Sequence, residues 1–288
     1  MKGDWKGDPD LYGDLFDLLD VVFPGVREGA EEIRRYGASW ESASTPYVRY
    51  EEGRIVSHVG VIPLPLVIAG RAERVGSVHA VATHPDHRRK GYYRALMEEA
   101  IADRAERFET LILTTENPEY YEPFGFRVLR EHRFRAAGGA GGREDALRPL
   151  DPGDAADLAL LRRLVETRAP VSRVLGAGGA KAVFLFNEGR RPLLYCEELD
   201  ALLCMERDGP RLLLHDVVAP DPPNLEEILK RIPGPVEETV LHFAPDRIAP
   251  GAAAEPHLYD FGGPSYLMAR GPFAAEGKPF ALPRSART

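Results

Sequence analysis

The chain has little cysteine: Cys196 and Cys204 are the only two in 288 residues. That is too few for a disulfide framework or a zinc ribbon, and both read as buried reduced thiols. No apolar run approaches the ~18 residues that a bilayer span needs. The opening MKGDWKGDPD has no signal-like apolar stretch, so a cytoplasmic address is expected. Metal chemistry has no footing either, because the spacing of His215, His242, His257, Asp216 and Asp246 suggests no ligand set. Neither glycine-rich phosphate fingerprint, G-x-G-x-x-G or G-x-x-x-x-G-K-[ST], occurs. Positive charge is in deficit, with 37 Lys and Arg against 45 Asp and Glu and a net charge of -8. Such a balance argues against a nucleic-acid partner and mildly favours cationic small molecules.

What is present is an ordinary globular composition, 44% hydrophobic and 28% charged, with length for two domains. Residues 10–23 space Leu11, Leu15, Leu18, Leu19 and Val22 as a helix. PYVRYEEGRIVSHVGVIPLPLVIAG reads as two strands joined at Glu52-Gly53, and residues 75–83 as a third. Residues 91–108 form a helix with Leu96, Met97, Ala100, Ile101 and Ala105 on one face. ETLILTTEN is a short buried strand, and YYEPFGFRVLREHRF closes the unit with an aromatic turn and another strand. The pattern is α/β (α+β) around a mixed sheet.

AAGGAGGRED breaks the composition and reads as a flexible linker, residues 136–146, between units at 1–135 and 147–288. LRPLDPGDAADLALLRRLVET then begins afresh as a strand, a turn and a helix. The second half echoes the first: LHDVVAPDPPNLEEILKRI shadows VHAVATHPDHRRKGYYRALMEEA, with His79 against His215, and ETVLHFAPDR shadows ETLILTTENP. The second copy has lost the cations and the glycine. PSYLMARGPF reads as a final core strand.

The chemistry concentrates in THPDHRRKGYYRALMEEA. A helix N-terminus has unpaired N–H groups and the positive end of its dipole, so it attracts anions. Gly91 lets backbone approach a ligand where a Cβ would obstruct it, and Arg88, Arg89 and Lys90 add charge. A charge run alone reads as a solvated loop.

This stretch resembles the acyl-CoA-binding motif of the GNAT superfamily of N-acetyltransferases, [RQ]-x-x-G-x-[GA]. Arg88 and Gly91 match, and the third position holds Tyr93. The wording H-R-R-x-G-x-x-R-A resembles the Eis-like branch, which carries bulky residues there. TENPEYYEPFGF is similar to the family's closing element, with Asn117, Tyr121, Gly125 and Phe126 in the matching places. The Eis group also has a sterol-carrier-like domain, for which this chain has no length. The resemblance implies two tandem GNAT-like units, the second degenerate.

It also implies acetyl-CoA as cosubstrate and N-acetylation of a primary amine on a small molecule or peptide. The alternative is a non-catalytic acyl-CoA-binding or interaction protein. Residues 88–94 (Arg88, Arg89, Lys90, Gly91, Tyr92, Tyr93 and Arg94) would bind the pyrophosphate. Val81, Ala82 and Thr83 would pair with the pantetheine like an added strand and polarise the thioester, with Asn117 at the facing strand end. Tyr121 is the candidate general acid, a phenol near pKa ~10 facing a thiol near ~8.5. For the base, Glu116 stands first; His79, His84, His58, a carboxylate at Thr288 and water are alternatives. The second half is expected to cover the catalytic unit. Oligomeric state and the acceptor's identity are left open.

Overall fold

In a computed structural model, the structure describes residues 1–143, 146–260 and 262–288. The first helix, α1 (Leu11–Val22), turns Leu11, Leu15, Leu18 and Leu19 inward at the expected three- and four-residue spacing. It is followed by α2 (Val26–Arg35) and by α3 (Trp40–Ala43), which the Ser39 hydroxyl caps by accepting from Ser42 N–H. The others are α4 (Tyr92–Arg104), α5 (Ala155–Thr167), α6 (Lys181–Glu188) and α7 (Leu225–Leu229). Among the described residues no helix is long and apolar enough to cross a membrane.

The strands, in chain order, begin with β1 (Thr45–Glu51), β2 (Arg54–Ile68), β3 (Arg71–Thr83), β4 (Leu111–Thr115) and β5 (Arg127–Val128). Next come β6 (His132–Gly139), β7 (Arg148–Pro149), β8 (Leu175–Ala177), β9 (Leu194–Cys196) and β10 (Ala201–Asp208). The last are β11 (Arg211–Val218), β12 (Val236–Leu241), β13 (Ala253–Pro256), β14 (Tyr259–Asp260) and β15 (Pro264–Arg270). One sheet runs β1-β2-β3-β4-β15-β14, with β5 against β15 and β8 against β2; the other runs β13-β6-β12-β11-β10-β9-β7.

The two sheets share a plan. In the first, β1, β2 and β3 are antiparallel neighbours, β3 is parallel to β4, and β15 is antiparallel to β4. In the second, β9, β10 and β11 are antiparallel, β11 is parallel to β12, and β6 is antiparallel to β12. A helix bridges each parallel pair, α4 in one and α7 in the other. This mixed α/β architecture fits a tandem arrangement.

Two expectations from the sequence need correction. Of the two strands after the aromatic turn, β5 stays in the first sheet against β15, but β6 lies in the second, and β15, from the far end of the chain, pairs with β4. A cut near residue 135 therefore does not separate the sheets, because each receives its strand beside the parallel pair from the other half of the sequence.

The second correction concerns the glycine-rich stretch. Residues 136–139 are strand, not linker, with Ala136 and Ala137 facing Thr239 and Glu238; Glu144 and Asp145 lie outside the described residues. Glycine is needed here for close backbone approach. A Cβ on Gly138 would stand 1.9 Å from Val236 O, and on Gly141 2.0 Å from Gly234 O. Gly138→Ala should destabilise the protein by about 3 kcal/mol, the upper range for overpacking. A urea midpoint equal to that of the parent would return the stretch to the linker reading.

The first sheet buries Tyr47, Val59, Val61, Val78, Leu111 and Leu113 against Leu96, Met97 and Ala100 of α4. That packing fixes the mouth of α4 relative to the ends of β3 and β4.

Candidate active site

The site begins with a defect in β3. His58 faces Ala82 while Gly60 faces His79, so β3 carries one extra residue, and Ala80 takes φ +48° to accommodate it. Such a bulge bends its strand. On the other side, β3 pairs with β4 only at Gly76–Leu111 and Ser77–Ile112. Beyond those pairs the two parallel strands part, and a cavity of about 1250 Å³ opens between their C-terminal ends.

After Thr83 the chain makes a short 3-10 turn at Pro85–His87. Arg89 (φ +65°) and Gly91 (φ +82°) then turn it into α4. Gly91 is the helix N-cap with no side-chain cap, a Cβ there would meet nothing within 4 Å, and its C=O accepts from Ala95 N–H at 3.1 Å. The first amides of α4 thus have no side-chain cap, as anion binding requires.

The structure sorts the cations. Arg88 and Arg89 line the cavity, Arg88 with its Nε donating to Thr83 O at 3.3 Å. The Lys90 side chain instead pairs with Glu51 at 3.1 Å, and Tyr92 donates to the same carboxylate. The Lys90 and His87 hydrogen bonds hold the Glu51 carboxyl below its ordinary range. Arg94 lies 3.9 Å from Glu98 and over the Phe124 ring. Of the cationic loop, then, Arg88 and Arg89 reach the cavity; Lys90, Gly91, Tyr92 and Arg94 lie outside its lining.

Tyr93 lines the cavity and folds back onto the aromatic turn, donating to Tyr120 O at 2.8 Å and standing edge-on to Tyr121 and Phe124. Its bulk therefore does not cap the helix mouth. Tyr121 also lines the cavity, and burial raises its phenol to about 12 against the opposing hydrogen bond from Thr115. Thr115 Oγ1 in turn accepts from Asn117 N–H at 3.0 Å. Val81, Ala82, Thr83, Glu116 and Asn117 line the same cavity, so its walls bring together most of the residues singled out from the sequence.

The base candidates separate by burial. His58 is enclosed, its Nδ1 on Ala80 O at 2.7 Å, and burial pushes it down to about 4. His79 reaches the cavity wall with Nε2 on Ser44 Oγ at 2.7 Å, and burial pushes it down to about 3. Both are too weakly basic to take a proton from an ammonium. His84 sits on the loop near Asp86, outside the cavity lining. Glu116 is exposed at the end of β4 beside Gly263.

Thr288 also lies in the cavity: Thr114 Oγ1 donates to its main-chain oxygen at 2.5 Å, and Ser77 Oγ meets its hydroxyl. Buried ion pairs hold the segment that delivers it. Arg284 binds both Glu188 oxygens at 2.8 and 2.9 Å, and Arg287 binds Glu131 at 2.6 Å. Ser285 donates to Asp216, which Arg168 also grips at 2.7 and 2.9 Å. Two further walls escaped sequence reasoning, the turn at 22–26 with Trp40, and the α6 face carrying Val183, Phe186 and Asn187 with Arg190 just beyond the helix. No motif marks them, since each is an ordinary amphipathic stretch.

The matching point of the second sheet is closed. Its bulge falls at His215, between Asp216 and Leu214, in the region held by Ser285 and Arg284. The mouth of α7 is occupied by its own residues, Asn224 Oδ1 accepting from Glu227 N–H and the Glu227 carboxylate from Asn224 N–H.

This geometry is that of a GNAT fold, and comparison agrees. Residues 8–129 match the family model described as acetyltransferase (GNAT) domain. A conserved Enterococcus faecalis V583 protein, described as a probable N-acyltransferase, superposes with a TM-score of 0.60 at 14% identity, over 96% of this chain and 72% of that one. A GCN5-related N-acetyltransferase from Kribbella flavida gives 0.54 at 17% identity, covering 91% and 68%. One from Anabaena variabilis ATCC 29413 gives 0.53 at 14% identity, covering 91% and 71%. No curated protein matches the chain in sequence.

Proposed function

We propose that the chain is an acetyl-CoA-dependent N-acetyltransferase acting on a primary amine of a small molecule or peptide. The observation that carries this reading is one cavity lined by the parted ends of β3 and β4, by Arg88, Arg89 and Tyr93 beside the uncapped mouth of α4, and by Tyr121. The amides after Gly91, with Arg88 and Arg89, take the pyrophosphate. Residues 81–83 take the pantetheine amides, and an N–H there polarises the thioester carbonyl. The acceptor ammonium loses a proton towards Glu116, directly or through water, and the amine nitrogen attacks the carbonyl carbon. The C–S bond breaks as the amide forms, and the departing sulfur meets the Tyr121 hydroxyl. Because burial holds that phenol at about 12, it serves as hydrogen-bond donor to the thiolate. A second proton, lost by nitrogen as the amide forms, completes the thiol. The balance is ammonium plus thioester giving amide, thiol and one proton.

The chain reads as two tandem units of which the first binds cofactor. Pro222 and Pro223 offer no N–H before α7, and the Asn224–Glu227 box fills its mouth. One acetyl-CoA per chain is expected by calorimetry. Two buried, unpaired thiols agree with a cytoplasmic address.

The direct test is thiol release from acetyl-CoA in the presence of a broad amine panel. Tight cofactor binding with no release across the panel would favour a non-catalytic acyl-CoA-binding protein. Gly91→Asp should weaken acetyl-CoA at least tenfold, about 1.4 kcal/mol. It forces a side chain to φ +82° and sets a carboxylate against the phosphates. Unchanged affinity in that variant would make the cationic run a solvated loop.

A further inference from the structure

Granting the acetyltransferase reading, on which this inference rests, the cavity's remaining walls bear on the acceptor. We infer that it is a primary amine carried on an aromatic or similarly flat apolar body, in preference to a polyamine. The walls built by the 22–26 turn, Trp40 and α6 present Val22, Phe23, Val26, Trp40, Val183 and Phe186. Trp40 and Phe186 stand together, ring centroids 5.2 Å apart and planes tilted by 45°. Phe186 is seated against Gly29, where an added Cβ would come within 3.0 Å of its ring. The sequence thus spends a glycine to hold an aromatic ring at this wall.

Aromatic walls can also attract a cation through their faces, so the charges decide. Arg190 lines the same cavity, as does Arg287, whose charge Glu131 already meets, and Arg88 and Arg89 line the cofactor arm. Arg190 is only loosely met by Glu32 at 3.7 Å and Glu28 at 3.9 Å. Among the described residues, Glu116 is the one carboxylate side chain in the lining. A single ammonium placed for attack has that partner. Each further positive charge would face guanidinium groups or rings, with only the Thr288 main-chain oxygen, which already accepts from Thr114 Oγ1, left to meet it. A flat apolar body instead removes exposed Phe23 and neighbouring valines from water.

The test compares phenethylamine, spermidine and a lysine-containing tripeptide as acceptors, with acetyl-CoA affinity measured separately by calorimetry. Phenethylamine should show at least a tenfold higher kcat/KM than spermidine. Phe23→Ala, at a site 39% exposed and so harmless to folding, should raise the KM for phenethylamine severalfold at unchanged acetyl-CoA affinity. Phe186→Leu, which keeps an apolar side chain, should do the same. If acetyl-CoA binds and spermidine or the peptide is preferred, or Phe23→Ala leaves the phenethylamine KM unmoved, the inference is overturned while the acetyltransferase reading stands. If acetyl-CoA does not bind, both fall.

Discussion

Replacing Tyr121 by phenylalanine should lower kcat by about 100-fold, within the range for losing one donor aimed at developing charge. Acetyl-CoA affinity should stay close to that of the parent. The substitution removes only the hydroxyl, and the ring keeps its edge contacts with Tyr93 and Phe126. Thr115 retains the Asn117 amide as a partner. Because burial raises the phenol to about 12, the parent's kcat should show no alkaline loss from this group below about pH 10. Gly91→Asp acts in the opposite way, on affinity first. If the two variants lost cofactor affinity equally, the division between binding loop and hydrogen-bond donor to the leaving sulfur would be wrong.

A second large effect is expected on acidification. Burial lowers His58 to about 4 and His79 to about 3, and His215 to about 3. In the unfolded chain each titrates near ~6.5. Between that value and the folded ones the unfolded state binds more protons, so stability is full above the unfolded pKa and is lost as pH falls. Each imidazole withdraws about 1.4 kcal/mol per pH unit once inside the window. Together the three should cost about 3–4 kcal/mol between pH 6 and pH 5. Glu188, whose carboxyl burial raises despite Arg284, works in the opposite sense. Urea denaturation at pH 7.5, 6 and 5 would show this as a falling midpoint. A flat profile across that range would mean that these rings find water or partners when charged.

Contiguous features were legible in the sequence. Gly91 and the cations before it, the aromatic turn around Tyr121 and the alternation of β2 and β3 are short-range patterns, and each lies where its pattern places it. Long-range decisions were not legible. Nothing in HRFRAAGG says that it pairs with Thr239 and Leu241 instead of with β4. Glycines at 138, 141 and 142 look like flexibility until the opposing carbonyls are known. Lys90 matches a binding loop by position, yet Glu51, 39 residues earlier, takes its charge. The remaining cavity walls come from the 22–26 turn, Trp40 and α6, segments brought together only by the packing of the helices.

The exchange of β6 and β15 has a consequence for the order of events at the ribosome. Chains emerge N-terminus first, and domains ordinarily fold as they appear. Here β4 must wait for β15, whose Met268 and Ala269 pair with Leu113 and Ile112 across more than 150 residues of chain. Until the last strand has been made, the edge of β4 is an unpaired template for other strands. Thr288 and the arginines at 284 and 287 come later still, so the cavity is finished last. The first half of the chain should therefore be a client for chaperones throughout its synthesis, and halves expressed separately should be soluble only when made together.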